Sequence, residues 1–185
     1  SKDKLSLELF LIIFPELKNV KIFSKLNSYD KDLLKENDFI FLLSLLVIGD
    51  NDNLDYFLYK FNISKQNQKR MKIIDNFYKE KITVKTFIEK NMNKVLYYHG
   101  KQAVLDILNF RIIKSNKIDQ TLIELSQTYR SKTIPSMPIS ADLLMKKYNI
   151  PEGKQLGEKL KTIEQIWVKN DFKISDQQVD NIINN

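Results

Sequence analysis

The helical spacing of apolar residues constrains the fold of this chain more than any other feature. Apolar side chains recur at three- and four-residue steps along almost the whole sequence, as in Leu5, Leu9 and Ile12, and this spacing marks one side of an α-helix. No segment keeps the alternation of a strand, and four glycines are few for 185 residues. The sequence predicts an all-α fold, a multi-helix body with short antiparallel connections and no sheet.

Capping residues and turns divide this pattern into separate predicted helices. Ser64, Ser140 and Ser175 stand where an N-cap is expected, and His99-Gly100 is typical of a helix end. The predicted helices cover residues 5–14, 32–48, 54–61, 65–79, 83–98, 101–114, 119–130, 141–148, 154–169 and 176–183.

Two prolines indicate a boundary near residue 131. Pro135 and Pro138 exclude a continuous helix and predict an extended linker. We expect a helical body over residues 1–131 and a helical tail unit over residues 132–185. About 50 residues make a marginal independent domain, so the tail unit is expected to pack on the body. Ser1 is not a methionine, and a cut terminus or a tag remnant is expected there.

The basic charge is concentrated in the middle of the chain. Residues 61–117 carry a net charge of +9, whereas residues 1–60 carry −2 and residues 118–185 carry 0. Such a segment favours a polyanionic partner, above all RNA. The alternative is a solvated basic face in a chain rich in lysine and asparagine. The candidate RNA-binding residues are Lys65, Lys69, Arg70, Lys72, Lys101 and Lys154.

Lys154 is a candidate for a separate reason. It follows Pro151-Glu152-Gly153 at a predicted helix N-terminus, where free amides and the helix dipole can hold a phosphate. The alternative is structural: Gly153 permits the turn, and Gly157 allows another helix to approach closely.

No catalytic or metal site is predicted. The chain has no cysteine, which excludes disulfides and thiolate chemistry and fits a reducing cytoplasm. Asp50 and Asp52 resemble a metal-binding pair, but no phosphate loop precedes them, so a polar turn is expected. His99, the only histidine, is expected to have a structural role at its helix end. The longest apolar run, residues 39–48, is too short for a membrane span, which needs about 20 residues, so no membrane partner is expected.

Ordered motifs in the last third of the chain resemble one family. Residues 138–144, 151–160 and 164–167 resemble the C-terminal region of the bacterial tRNA nucleotidyltransferases, the CCA-adding enzymes and their poly(A) polymerase relatives. Phe14-Pro15-Glu16-Leu17 and Tyr97-Tyr98-His99-Gly100 are similar to earlier motifs of that family. The motif positions with an expected structural role are Ser140, Asp142, Gly153, Gly157 and Trp167.

The resemblance implies a division of labour. In this family a head with Mg²⁺ transfers nucleotides, while a helical body and tail hold the acceptor and T arms of tRNA. The catalytic motifs of the head have no matching positions here, so the resemblance implies body and tail only, without a cofactor of their own. The implied partners are tRNA or other RNA and a catalytic head on the same or a separate chain. The alternative is a protein-interaction module that docks a separately encoded head through residues 5–14.

Overall fold

A computed structural model of the protein describes residues 2–49, 53–80, 89–115 and 117–184. These residues form α-helices and one 3₁₀-helix, with no strand among them, and the predicted all-α fold is confirmed. The elements are α1 (Lys2–Ile13), the 3₁₀-helix (Lys18–Lys25), α2 (Ser28–Glu36), α3 (Phe39–Val47), α4 (Asn53–Lys60), α5 (Lys65–Lys79), α6 (Glu89–His99), α7 (Lys101–Lys114), α8 (Gln120–Ser131), α9 (Ala141–Tyr148), α10 (Lys154–Lys169) and α11 (Asp176–Asn184).

Local capping explains where several helices begin. The hydroxyl oxygens of Ser64 and Ser140 accept hydrogen bonds from backbone amides in the first turns of α5 and α9, as expected of N-caps. Both helices begin and end where the sequence predicted. The predicted helix 83–98 lies partly outside the described residues, as do Asp50 and Asp52, and the described part begins at Glu89.

The prediction of a single helix over residues 32–48 is wrong. Two helices occupy this region, because Asn37 adopts an extended backbone and Asp38 caps a new helix by accepting from the amide of Phe41 at 3.0 Å. Apolar spacing continues across the break, which is why periodicity alone did not reveal it. The 3₁₀-helix was not predicted either.

Two hydrophobic clusters form the interior. The larger extends from the 3₁₀-helix region to α8, and Phe41, Met71 and Leu108 are among its fully buried side chains. Its central element is α7, which packs against α5, α6 and α8 and is buried on several sides. The smaller cluster lies within α9–α11 and contains Leu144 and Ile163.

A group of aromatic side chains, here called the aromatic joint, connects α10 to α6. Trp167 of α10 is buried between Tyr97 of α6 and Phe172, with ring centroids 5.3 Å and 4.8 Å away. Nearby, the side-chain amide of Asn93 donates to the carboxylate of Asp171 at 3.0 Å. The C-terminal half of α10 is therefore held against α6 by both apolar and polar contacts.

Candidate nucleic-acid interface

Three of the predicted cations form one outward row on α5. Lys65, Lys69 and Lys72 are spaced i, i+4 and i+7, which places them on the same side of a helix. The opposite side of α5 is buried through Met71 and Ile74. All three lysines are exposed, so their ammonium groups can reach a large ligand. We call Lys65, Lys69 and Lys72 the α5 lysine stripe.

Lys72 of the stripe makes an ion pair at the protein surface. Among the described residues, Lys72 Nζ lies 2.8 Å from a carboxylate oxygen of Asp55 on α4, and both side chains are at least half exposed. Pairs of this kind contribute about 0–1 kcal/mol, so a phosphate can compete for the lysine.

Arg70 lies on the same helix but faces the interior of the protein. Its Nε and Nη2 donate to the two carboxylate oxygens of Asp106 at 2.5 Å and 2.8 Å, and Nη1 donates to Asp38 at 2.5 Å. Asp106 is completely buried and also accepts from the side-chain amide of Gln102 at 2.9 Å. Arg70 thus connects α5 to α7 and to the start of α3. Its guanidinium group is occupied by these carboxylates, and Arg70 is therefore omitted from the proposed RNA contacts.

The surrounding groups favour the charged form of this network. The hydrogen bonds to Asp106 raise the pKa of Arg70, although burial opposes them. Burial also acts to raise the pKa of Asp38, but the hydrogen bonds from Arg70 and the amide of Phe41 outweigh it, and the pKa of Asp38 is lowered. Arg70 and Asp38 therefore remain ionised at neutral pH.

Lys101 stands at the turn between α6 and α7. Gly100 permits this turn with a φ of +83°, a conformation that favours glycine. Lys101 is half-buried, and its Nζ donates to the carbonyl oxygen of Arg130 at 3.1 Å. Partial burial and then the charge of Lys69 lower the pKa of His99, the last residue of α6.

Lys154 is the first residue of α10, whereas the aromatic joint lies near the C-terminal end of that helix. Its side chain is 90% exposed, and Nζ lies 3.7 Å from Glu158. Lys154 precedes Trp167 by thirteen positions, which corresponds to about 20 Å along the helix. Among the described residues, the ion pair of Lys154 is with Glu158 of its own helix, and Lys154 is treated as a candidate separate from the α5 lysine stripe.

The two glycines of this motif have different roles. Gly153 has a φ of +149°, which supports the interpretation that it permits the turn. The prediction that Gly157 allows another helix to approach closely is wrong, because a Cβ atom built there would meet nothing within 4 Å.

The remaining motif residues lie at the start of α9 and in α10. Ser140 caps α9, and Asp142 lies in the first turn of that helix, where a negative charge is favourable. Both line a shallow groove of about 470 Å³ together with Lys146 and Lys147. Trp167 forms the aromatic joint described above.

A hydrogen bond reinforces the aromatic joint. The hydroxyl group of Tyr97 donates to a carboxylate oxygen of Glu164 at 2.5 Å. This bond, followed by burial, raises the pKa of Tyr97 to about 12. The hydroxyl group therefore stays protonated at neutral pH and keeps α6 attached to α10.

A second basic region was missed by the sequence reasoning. It is a groove of about 730 Å³ between the 3₁₀-helix and the end of α7. Among the described residues, its charged lining consists of Lys18, Lys21, Lys25, Lys114, Lys117 and Asp30. Lysines at positions 18, 21 and 25 follow a helical spacing that could have revealed the region, but they lie in a segment whose summed charge is negative.

The fold and the surface together define an all-α domain with an exposed cationic helix. The chain belongs to the family tRNA nucleotidyltransferase domain 2, whose model matches residues 32–179. No curated protein and no solved structure matched the chain. Across the described residues, none of the helices has the length and apolar character required to span a membrane.

Proposed function

We propose that this chain is the RNA-holding helical region of a tRNA nucleotidyltransferase, either a CCA-adding enzyme or a poly(A) polymerase. In this proposal it binds the acceptor and T arms of tRNA in the cytoplasm, while a head on the same or a separate chain adds nucleotides to the 3′ end. The observation that carries the proposal is the exposed α5 lysine stripe on a member of this family.

The chemistry of the stripe suits phosphate contacts. Lysine ammonium groups act as point charges on flexible stems, and each can neutralise one phosphate and release its counterions. From Lys65 to Lys72 the helix rises about 10 Å, a span over which a nucleic-acid duplex presents several phosphates. Contacts of this kind position an RNA without reading its sequence, as a protein that accepts many tRNAs requires.

Salt dependence of tRNA binding tests the proposal. If three phosphates are contacted, affinity is expected to fall about 40-fold between about 50 mM and about 200 mM salt. Filter binding with whole tRNA, an acceptor–T-arm minihelix and an anticodon stem-loop provides the comparison. The minihelix should bind as tightly as whole tRNA and more tightly than the stem-loop. Affinity that is insensitive to salt would exclude phosphate-driven binding.

We also propose that nucleotide addition requires a separate head. The chain alone, incubated with tRNA, Mg²⁺ and CTP or ATP, is expected to incorporate no nucleotide. Incorporation that survives repurification would show that a catalytic site exists within this chain.

The apolar side of α1 favours a second candidate, a protein-docking module. Leu5, Leu9, Ile12 and Ile13 are 52–74% exposed, and their spacing places them on one side of the helix. Phe10 and Phe14 instead pack against the larger hydrophobic cluster. An exposed apolar face of this kind fits a protein partner such as a separately encoded head.

Direct binding distinguishes this candidate. Size-exclusion chromatography with a purified head domain from an enzyme of this family should give a complex, and Leu9→Asp/Ile12→Asp should abolish it. The double variant Lys31→Asp/Lys35→Asp, with both substitutions outside α1, is the control. If Leu9→Asp/Ile12→Asp still binds tRNA tightly, protein docking and RNA binding are separable functions.

A further inference from the structure

The groove beside the 3₁₀-helix combines an apolar floor with a cationic rim. Its floor and walls contain Ile22, Leu26, Ile112 and Ile113 and the rings of Tyr29 and Tyr78. Its volume of about 730 Å³ falls within the range of small-molecule sites, roughly 300–1,000 Å³. The groove therefore offers room, an apolar surface and concentrated positive charge in one place.

The lysine-bearing wall is fixed to the body of the protein. The side-chain amide of Asn19 donates to the carbonyl oxygens of Leu46 and Ile48 at 3.1 Å and 3.0 Å. A Cβ atom at Gly49 would lie 3.2 Å from this amide nitrogen, so glycine allows the close approach. Residues three apart eclipse each other on a 3₁₀-helix, and Lys18 and Lys21 therefore share one side.

Most of the lysines of the groove make no ion pair with the described residues. Lys114 is engaged, because its Nζ donates to the carbonyl oxygen of Ile48 at 3.1 Å. The carboxylate of Asp30 accepts from the backbone amide of Asn27 in a capping box. By contrast, an exposed set of lysines makes no ion pair with the described residues: Lys18, Lys21, Lys25 and Lys117.

The fold itself accounts for only part of this charge. A lysine in the last turn of a helix complements the negative end of its dipole, which explains Lys114 on α7 and Lys25 on the 3₁₀-helix. Lys18 and Lys21 stand earlier in the 3₁₀-helix and Lys117 lies beyond the end of α7, so this effect does not account for them. A recess lined mainly by positive charge, with five lysines and Asp30, concentrates negatively charged ligands, so an anion is the expected occupant.

We infer that this groove binds a nucleotide, with the base against the apolar floor and tyrosine rings and the phosphates on Lys18, Lys21, Lys25 and Lys117. Aromatic and apolar side chains hold bases by stacking, and lysines hold phosphates as point charges. The nucleotide is either a free nucleoside triphosphate or one residue of an RNA chain. The site uses none of the α5 lysine stripe and stands independently of it.

Calorimetric titration of the full chain with ATP, adenosine and inorganic triphosphate tests the site. Lys21→Gln/Lys25→Gln should weaken ATP binding about tenfold, because two exposed charge contacts are lost. The control Lys31→Gln/Lys161→Gln removes the same charge elsewhere and should leave ATP affinity unchanged. Ile118→Gln, at an exposed lining residue, should weaken ATP but not inorganic triphosphate. Equal affinity for ATP and inorganic triphosphate would overturn the nucleotide assignment.

Competition with tRNA identifies the source of the nucleotide. If tRNA displaces ATP, or if only tRNA binding is weakened in Lys21→Gln/Lys25→Gln, the ligand is part of an RNA chain. If ATP stays bound in the presence of tRNA, the ligand is a free nucleotide. The inference is wrong if neither ATP nor tRNA binding differs between this variant and its control. Gln variants of the α5 lysine stripe should retain ATP affinity, so failure of the proposed function would be recognised separately.

Discussion

Two cationic regions on one helix, the site of Arg70 and the α5 lysine stripe, perform different physical tasks. Arg70 and Lys69 are neighbours in sequence, yet Arg70 makes three hydrogen bonds to carboxylates inside the protein and Lys69 faces solvent. The planar guanidinium fork matches the buried carboxylate of Asp106, whereas an exposed ammonium group keeps its hydration until a ligand arrives. Burial and partners, rather than the number of positive charges, decide which cations are available to a ligand.

The largest effect is expected from breaking the buried network. Asp106→Asn leaves the half-buried charge of Arg70 without its main partner, and we expect a loss of about 3–5 kcal/mol in the free energy of unfolding. Urea denaturation followed by circular dichroism measures it. Asp142→Asn, at an exposed carboxylate, should change stability by less than about 0.5 kcal/mol. Equal effects of the two variants would contradict the structural role of the network.

A smaller loss is expected when the charge at position 70 is kept and the fork is removed. Arg70→Lys can still approach Asp106 but loses the paired hydrogen bonds, so we expect a loss of about 2 kcal/mol. Lys69→Arg makes the opposite exchange at an exposed position and should be nearly neutral. If Arg70→Lys were equally neutral, charge alone would explain the site and the contrast between the two regions would weaken.

An intermediate case is the pair of Glu16 and Lys60, which are 2.6 Å apart, with Glu16 buried and Lys60 more exposed. The hydrogen bond from Lys60 lowers the pKa of Glu16 below 4.5, against the effect of burial. A carboxylate with a lowered pKa stabilises the fold above its unfolded pKa and loses that effect as the pH falls through the folded value.

This pair predicts a stability difference that depends on pH. Glu16→Gln should be less stable than wild type at pH 7, by less than Arg70→Lys, and the difference should shrink as the pH falls below 4.5. Urea unfolding at pH 7 and at a pH below 4.5 measures this difference, with Glu8→Gln as the exposed control. A difference that grows towards acid pH would have the wrong sign for this pair.

Much of α5 could be predicted from the sequence, but the separate role of Arg70 could not. Ser64 and the apolar spacing marked both ends of α5 and its buried side, because capping and periodicity are local properties. The partners of Arg70 lie 32 and 36 residues away, and only the packing of α3 and α7 brings them together. A cation placed by long-range contacts looks, in sequence, like any other cation.

The groove beside the 3₁₀-helix illustrates the same limit in another way. Its lysines come from two distant segments, residues 18–25 and 114–117, and charge summed along the sequence separates them. The break between α2 and α3 was missed because Asp38 is a local cap inside a continuing apolar pattern. By contrast, the motifs of the last third of the chain pointed to the family that the comparison shows.

The most direct test of phosphate binding by the α5 lysine stripe is the salt dependence of tRNA affinity in Lys65→Gln/Lys69→Gln/Lys72→Gln. The free energy of unfolding of this variant should lie within about 0.5 kcal/mol of the wild-type value, since the substituted side chains are exposed. The slope of log affinity against log salt should decrease in magnitude by about 2 to 3, close to one for each lysine. The charge-matched control Lys31→Gln/Lys161→Gln/Lys173→Gln should keep the wild-type slope. A stripe variant that retains both the affinity and the slope of wild type would contradict the proposal.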